Sequence, residues 1–458
     1  MEFSRGVWWP VLRGPGLAML VALLLGVVQA ATAADKVLLE ESIDDARIFG
    51  VGTRLDVTGT LLTAQSGKDP ASWNISLSAA LSYRERRLLG FGREAESLRS
   101  IRDYEVATVD IDVAGRPTSV KLDDRLKLVV AQGQAEGLQF SALDGVFTTD
   151  ELNLLRTPCD SLGLIALLPN REVEVGETWT PNLWAGQFIA GLDAVTESKM
   201  TCKLESVTES IARVTFEGTV DGATLGSTSK VTLKGGYDYD LVSKSISGAD
   251  MTQTEERSVG VVSPGMKISA RVRLLRKPAT IPGRLAEEAL VSRGQADVSA
   301  DALRIRFDSP WNLSLLHDRD WHLFHFNENV AILRMLEQGS FVAQLNVAPI
   351  PDVAAGQQTS ATDFQKDIQQ SLGEKLRSLG APESQTLSDG RKYHKVTAEG
   401  QVGERKMTWI YYLVTAPTGR QASLMFTVDT SQIEKLGGQE MRFVESLRFG
   451  PAGRKSAP

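Results

Sequence analysis

The chain has 458 residues, 42% of them hydrophobic and 23% charged, with a formal net charge of −7 at pH 7. This is ordinary globular composition, and too long for one core, so two or three domains are expected. The mildly acidic balance gives no overall electrostatic reason to bind nucleic acid or anionic lipid, which argues against both as principal partners.

The first 33 residues read as a secretory leader. Arg5 and Arg13 precede an unbroken apolar run over residues 17–28, and Ala31-Thr32-Ala33 supplies small residues for cleavage. Val28-Gln29-Ala30 is an alternative cut site. Residues 17–34 would also reach the lower limit of about 17–25 residues for a bilayer span, so an uncleaved anchor is the rival reading. No second apolar span follows, and the mature chain is predicted to carry no transmembrane segment. The expected address is periplasmic, cell-envelope or extracellular.

Residues 34–276 are dominated by a period of two. Val109, Ile111 and Val113 alternate with Asp110 and Asp112. After Ala114-Gly-Arg-Pro117, Val120 and Leu122 alternate with Lys121 and Asp123, which reads as a hairpin with one wet face. Ile268, Ala270, Val272 and Leu274 alternate with basic and polar residues in the same way. Arg84-Glu-Arg-Arg87 is read as a solvated basic strand face. Only residues 150–156 read as a helix here, capped by Thr149 or Asp150. The sum is a large antiparallel β domain, barrel-like or a curved sheet.

Cys159 and Cys202 are the only cysteines. In an oxidising compartment they could close one disulfide; two buried thiols are the alternative. No C-x-x-C spacing supports a redox or zinc role.

Leu167-Leu-Pro169 followed by Val173-Glu-Val-Gly-Glu-Thr-Trp179 resembles a signature of exported bacterial β-rich proteins of unknown function. Physically, Pro169 ends one element, Gly176 permits a tight strand entry and Trp179 offers a large area for burial.

Residues 277–300, with Pro278, Pro282 and Gly294, read as a linker containing a short helical piece. Residues 301–449 mix strands with helices. Strands are expected over 303–307, 311–316, 321–326, 331–336 and 341–347, and then a long helix over 362–379. There Phe364, Ile368, Leu372, Leu376 and Leu379 share one face, with Gly380 as the stop. Residues 409–414 are apolar on both faces, as a doubly covered central strand requires. A final helix is expected over 431–446, and a loose tail over 450–458.

Trp409-Ile-Tyr-Tyr-Leu413, the Gly419-Arg-Gln421 turn, Met425-Phe-Thr427 and Ser446-Leu-Arg-Phe449 resemble the PsbP-like α/β/α sandwich, named for an extrinsic photosystem II subunit. That fold serves mostly as a binding or assembly module, and the resemblance implies such a role here. The expected fold class is therefore a multidomain chain: an antiparallel β domain followed by an α+β sandwich.

The densest titratable cluster spans residues 317–325 and holds His317, His322 and His325, weak candidates for a metal site. On a strand, His322 and His325 would face opposite ways, which weakens that reading. His394 stands alone. G-x-S-x-G, H-E-x-x-H and the P-loop pattern are absent from the sequence, so no catalytic residue and no cofactor are assigned. The expected function is an exported, non-enzymatic binding or assembly protein of the bacterial cell envelope, its partner an unknown envelope protein or an apolar ligand. The alternatives are a periplasmic carrier holding an apolar ligand or lipid in an open β-barrel, and a hydrolase with dispersed catalytic residues.

Overall fold

The computed structural model describes residues 36–42, 47–65, 68–88, 94–291 and 298–450. The leader and most of the tail fall outside these residues. No helix among the described residues is long and apolar enough to cross a membrane.

Short strand β1 (Val37–Leu38) opens the described chain. Then come β2 (Ile48–Gln65), β3 (Lys68–Arg87), β4 (Arg99–Val113), β5 (Arg116–Lys121), β6 (Leu128–Gln134) and β7 (Gly137–Ala142). Helix α1 (Thr149–Leu155), β8 (Glu172–Val173), β9 (Thr178–Trp179) and α2 (Leu183–Ala190) form the middle of the module. It is completed by β10 (Ala194–Ser198), β11 (Thr201–Val207), β12 (Ile211–Thr224), β13 (Ser227–Asp240), β14 (Ser245–Arg257) and β15 (Gly265–Pro278). Thirteen strands join one antiparallel sheet in the order β7-β6-β4-β3-β2-β15-β14-β13-β12-β11-β9, with β5 added on β4 and β10 on β12. The ends of that order do not pair, so the sheet is open. The expected hairpin is present as β4–β5, with Val109 opposite Val120.

Alternation explains which face is inside. On β3, Ala79, Leu81, Tyr83, Glu85 and Arg87 are buried while their neighbours are less so. One apolar cluster gathers inward residues from strands across the whole order, among them Phe140, Val129, Leu81, Val272, Val231 and Leu204. The segment 149–192 packs into that face. Leu152, Leu155, Leu162, Leu164, Leu167, Phe188 and Ile189 belong to the same cluster. The sheet therefore curls around a helical plug instead of enclosing an empty barrel. Helix α1 is capped by Thr148, one residue before the expected cap, in a reciprocal box with Glu151. Between the two halves of the Leu167–Trp179 stretch, the Trp179 indole N–H donates to the Leu167 carbonyl at 2.9 Å, so this tryptophan fastens the plug.

Residues 277–300 do more than link. Lys277 and Pro278 finish β15, and Leu285 with Leu290 of α3 (Glu287–Val291) buries against Ile101, Leu128 and Val130 on the sheet's other face.

The C-terminal part begins with β16 (Ile305–Asp308), β17 (Leu313–His317), β18 (Trp321–Phe326), β19 (Ala331–Glu337) and β20 (Ser340–Ile350). After α4 (Ala361–Leu372) come β21 (Leu376–Leu379), β22 (Glu383–Thr386), β23 (Lys392–Val402), β24 (Arg405–Thr415) and β25 (Gln421–Asp429). It closes with α5 (Ile433–Leu436), α6 (Gln439–Ser446) and β26 (Arg448–Phe449). Eight strands make a sheet in the order β18-β19-β20-β25-β24-β23-β21, with β22 on β23. Strand β24 is covered on both sides as expected. Trp409, Tyr411 and Leu413 pack with Phe364, Ile368 and Leu372 of α4; Ile410, Tyr412 and Val414 pack with Leu436, Phe443 and Val444. Arg391 is buried and closes the far end of α6, donating to the carbonyls of Val444 (2.7 Å), Glu445 (2.8 Å) and Leu447.

Two helices are shorter than their periodicity suggested. Gly373 takes φ +50° and ends α4, and Leu376 and Leu379 pass to β21 while keeping their apolar packing. The final helix breaks where Gly437 and Gly438 both adopt left-handed φ, giving α5 and α6.

Candidate functional site

The run Arg84-Glu-Arg-Arg87 is not a solvated face. Its alternate members Glu85 and Arg87 turn inward, and with Glu41, Arg102, Asp160 and Arg276 they form a network of three carboxylates and three guanidinium groups, none more than 5% exposed. Arg102 grips Asp160 with two bonds of 2.8 and 2.6 Å and donates its Nε to Glu85 at 2.9 Å. Ser161 and Ser100 donate to Glu85 at 2.7 and 3.0 Å. Burial pushes the Glu85 carboxyl up, but the charges of Arg102 and then Arg276 outweigh it and hold it below its usual value. Glu41 accepts from Arg87 and Arg276, both at 2.6 Å, and from the Ile246 amide at 3.0 Å. The Arg276 guanidinium lies 3.7 Å from the centre of the Phe49 ring. Since Glu85 and Arg102 stand on β3 and β4 while Asp160 and Ser161 belong to the plug, this network fastens plug to sheet.

Two concavities flank the plug. The larger, about 1260 Å³, is an open cleft with a mixed lining that includes Arg47, Trp179, Trp184 and Lys244. The smaller, about 250 Å³, lies between plug and sheet. Its walls combine Leu138 and Phe140 of β7 with Leu55 and Val57 of β2, Met266, Ile268 and Ala270 of β15, and Phe188 and Ala190 of α2. Strands β7 and β15 are five places apart in the sheet, about 24 Å if it were flat. Their meeting around so small a space is direct evidence of the curl. Beyond it, Leu77 and Ile111 continue the same apolar face, since Val57 pairs with Leu77 and Leu77 with Ile111.

The polar members of this cavity are Arg156, Asp193, Glu136, Gln187, Gln253 and the Glu255–Arg257 pair, whose closest approach is 2.6 Å. Arg156, at the end of α1, is exposed and lines the cavity. Desolvation lowers its pKa, against the opposing pull of Asp193. Sequence gave no signal for it.

The histidines do not converge. Among the described residues no three His, Cys, Asp or Glu side chains are grouped to hold a metal. His317 is buried with Nδ1 2.8 Å from the Asp318 carbonyl, and burial lowers its pKa to about 4. His322 is half-buried, and His325 is exposed with Nε2 3.2 Å from Asn327. His394 sits between Ser384 Oγ (2.7 Å from Nδ1) and the Thr359 carbonyl (3.0 Å from Nε2). Because a carbonyl only accepts, Nε2 carries the proton and Nδ1 accepts from the serine. That chain of bonds ties the short edge strand β22 and contains no carboxylate. Cys159 and Cys202 are not joined: both are free, buried thiols with pKa values pushed up to about 12 by burial. Cys202 is held on β11 between Trp179 and Phe216, whereas Cys159 follows α1 and bonds through its amide to Ile189.

No known protein family matches the chain, and no curated protein does. Among solved structures, it is similar to cyanobacterial PsbP from Synechocystis sp. PCC 6803 at 17% identity over 34% of this chain and 99% of that one, with a TM-score of 0.26. It is similar to lipovitellin, a structure concerned with lipid–protein interactions, at 11% identity over 52% of this chain and 26% of that one, TM-score 0.29. The immunity protein TplEi of Pseudomonas aeruginosa matches at 12% identity over 48% of this chain and 74% of that one, TM-score 0.18. With every score below 0.5, the architecture stands on its own topology: a β-rich chain of several open antiparallel sheets.

Proposed function

We propose that this chain is an exported, non-enzymatic binding protein of the bacterial cell envelope, with the ligand seated between the curved sheet and its plug. The observation that carries this reading is the 250 Å³ cavity, apolar along β2, β15 and β7 and polar at Arg156 and Asp193. Such a combination, an apolar wall with a few fixed polar groups, is what small-molecule sites share. The volume is just below the usual 300–1,000 Å³, because the plug fills most of the interior. It suits one small ligand better than the bulky cargo of an open-barrel carrier. The C-terminal sandwich, as its resemblance implies, would serve as a second module for binding or assembly.

The test is saturable binding of an uncharged apolar dye, N-phenyl-1-naphthylamine, to the intact chain, compared with Leu138→Trp, which fills the cavity. One-to-one binding lost in the variant is expected; equal binding by both proteins, or none by either, refutes the reading. N-terminal sequencing of the chain isolated from cells tests export, with a start near Ala34 expected.

A further inference from the structure

Three observations at one end of the cavity point to a particular kind of ligand. First, Arg156 lines the cavity and its guanidinium makes no hydrogen bond or ion pair with any described residue. Asp193, the acid whose charge acts on it, already accepts from the Leu225 amide at 2.8 Å. Second, Arg319 of the C-terminal module braces the cavity from outside its lining. It donates Nε to the Leu303 carbonyl at 2.6 Å and Nη2 to the Phe140 carbonyl at 2.7 Å, and Phe140 is itself part of the cavity wall. Its remaining nitrogen, Nη1, is buried without a partner. Third, these cations are within electrostatic reach of one another. Desolvation and then the Arg156 charge push Arg319 down to about 10, and the same two causes push His322 down to about 4.

Two guanidinium groups within reach of each other repel, and Asp193 offsets that charge only at Arg156. An anion at Arg156 would relieve the repulsion. The cavity's acids do not fill this role: Glu255 is taken by Arg257, and Glu136 lies exposed on the turn between β6 and β7. The apolar lining of β2 and β15 belongs to the same cavity.

We propose that the cavity binds a single-chain amphiphile with a carboxylate or phosphate head. The head is held by Arg156, with the Arg319 charge behind the Phe140 wall, and the chain lies on Leu55, Met266 and Ile268. This rests on the binding reading above and names its ligand class. Arg156 supplies selectivity for the head, and the sheet supplies affinity for the chain.

The experiment is calorimetric titration of the intact chain with decanoate, decyl phosphate, decanol and inorganic phosphate. Decanoate and decyl phosphate are expected to bind at least tenfold more tightly than decanol, and at least a hundredfold more tightly than inorganic phosphate. Arg156→Gln, at a side chain that holds nothing else in place, should bring decanoate down to the affinity of decanol and leave decanol unchanged. Arg156→Lys should restore part of the preference. Decanol binding as tightly as decanoate overturns the anionic head while the apolar site stands. Inorganic phosphate binding as tightly as decanoate overturns the chain subsite. If no decyl compound binds, this inference and the binding reading both fall.

Discussion

Replacing Arg102 by methionine tests whether the buried charge network holds the plug to the sheet. The stem volume is roughly kept, but Asp160 loses both of its guanidinium bonds and Glu85 loses one of its donors. Glu85 keeps Ser100, Ser161 and the field of Arg276, so Asp160 bears most of the damage. Removing one partner from a buried ion pair typically costs about 3–5 kcal/mol, because the other charge stays out of water unpaired. The assay is urea denaturation followed by tryptophan fluorescence and circular dichroism at pH 7 and pH 5. The sign of the pH effect is fixed. In the native network Glu85 is held below its usual pKa, so its contribution is present above that value and is lost as pH falls through the lowered one. In the variant a buried carboxylate stripped of its cation favours protonation in the folded state, so the deficit shrinks on going from pH 7 to pH 5. Adding Glu85→Gln and Asp160→Asn should recover most of the loss. A deficit below about 1 kcal/mol at pH 7, which is the level of exposed pairs, or one that grows on acidification, would refute the argument.

His317 is held neutral by burial, with its pKa lowered to about 4 from 6.5. Stability should therefore decline as pH falls from 6.5 towards 4, by up to about 3 kcal/mol at about 1.4 kcal/mol per pH unit, and His317→Gln should flatten that part of the stability–pH curve; an unchanged slope counts against a buried neutral imidazole. Arg391→Met removes three donors from the carbonyls that end α6, and at about 1–3 kcal/mol for each buried acceptor left bare it should cost several kcal/mol. Amide exchange should rise first in residues 439–447, and uniform loss of protection across both modules would show that the arginine acts elsewhere.

Much of the architecture was legible because burial on one face writes a period of two. The β4–β5 hairpin and the strand through Ile268 to Leu274 follow from alternation alone, and β24 announced its double coverage by being apolar at every position from 409 to 414. The same rule, applied to 79–87, places Glu85 and Arg87 inward with Leu81 and Tyr83. Charge composition argued for solvent, yet the phase of the strand wins because partners on β4, β15 and the plug satisfy the charges. Helix periodicity overran Gly373 because Leu376 and Leu379 remain apolar after passing into a strand; the only local signal was the glycine itself. Arg156 and Arg319 were not legible. Arg156 follows α1 and Arg319 lies in the turn between β17 and β18, and what relates them is how the two modules meet.

That meeting lets the C-terminal module brace a cavity whose lining residues all belong to the β module. Strand β7 ends the open sheet, and the edge strand of an open sheet is normally the most easily frayed. Here it carries Leu138 and Phe140, one wall of the cavity. Arg319 fixes it from outside through the Phe140 carbonyl, and the Arg306 amide bonds to the Phe147 carbonyl at 2.8 Å, extending the hold to the start of α1. Ile305 even joins the β-module core. The second module thus clamps the sheet where the sheet is weakest and brings the Arg319 charge within reach of Arg156. Sheet, plug and sandwich make one unit, with the cavity's far wall supported by residues more than a hundred positions downstream of it.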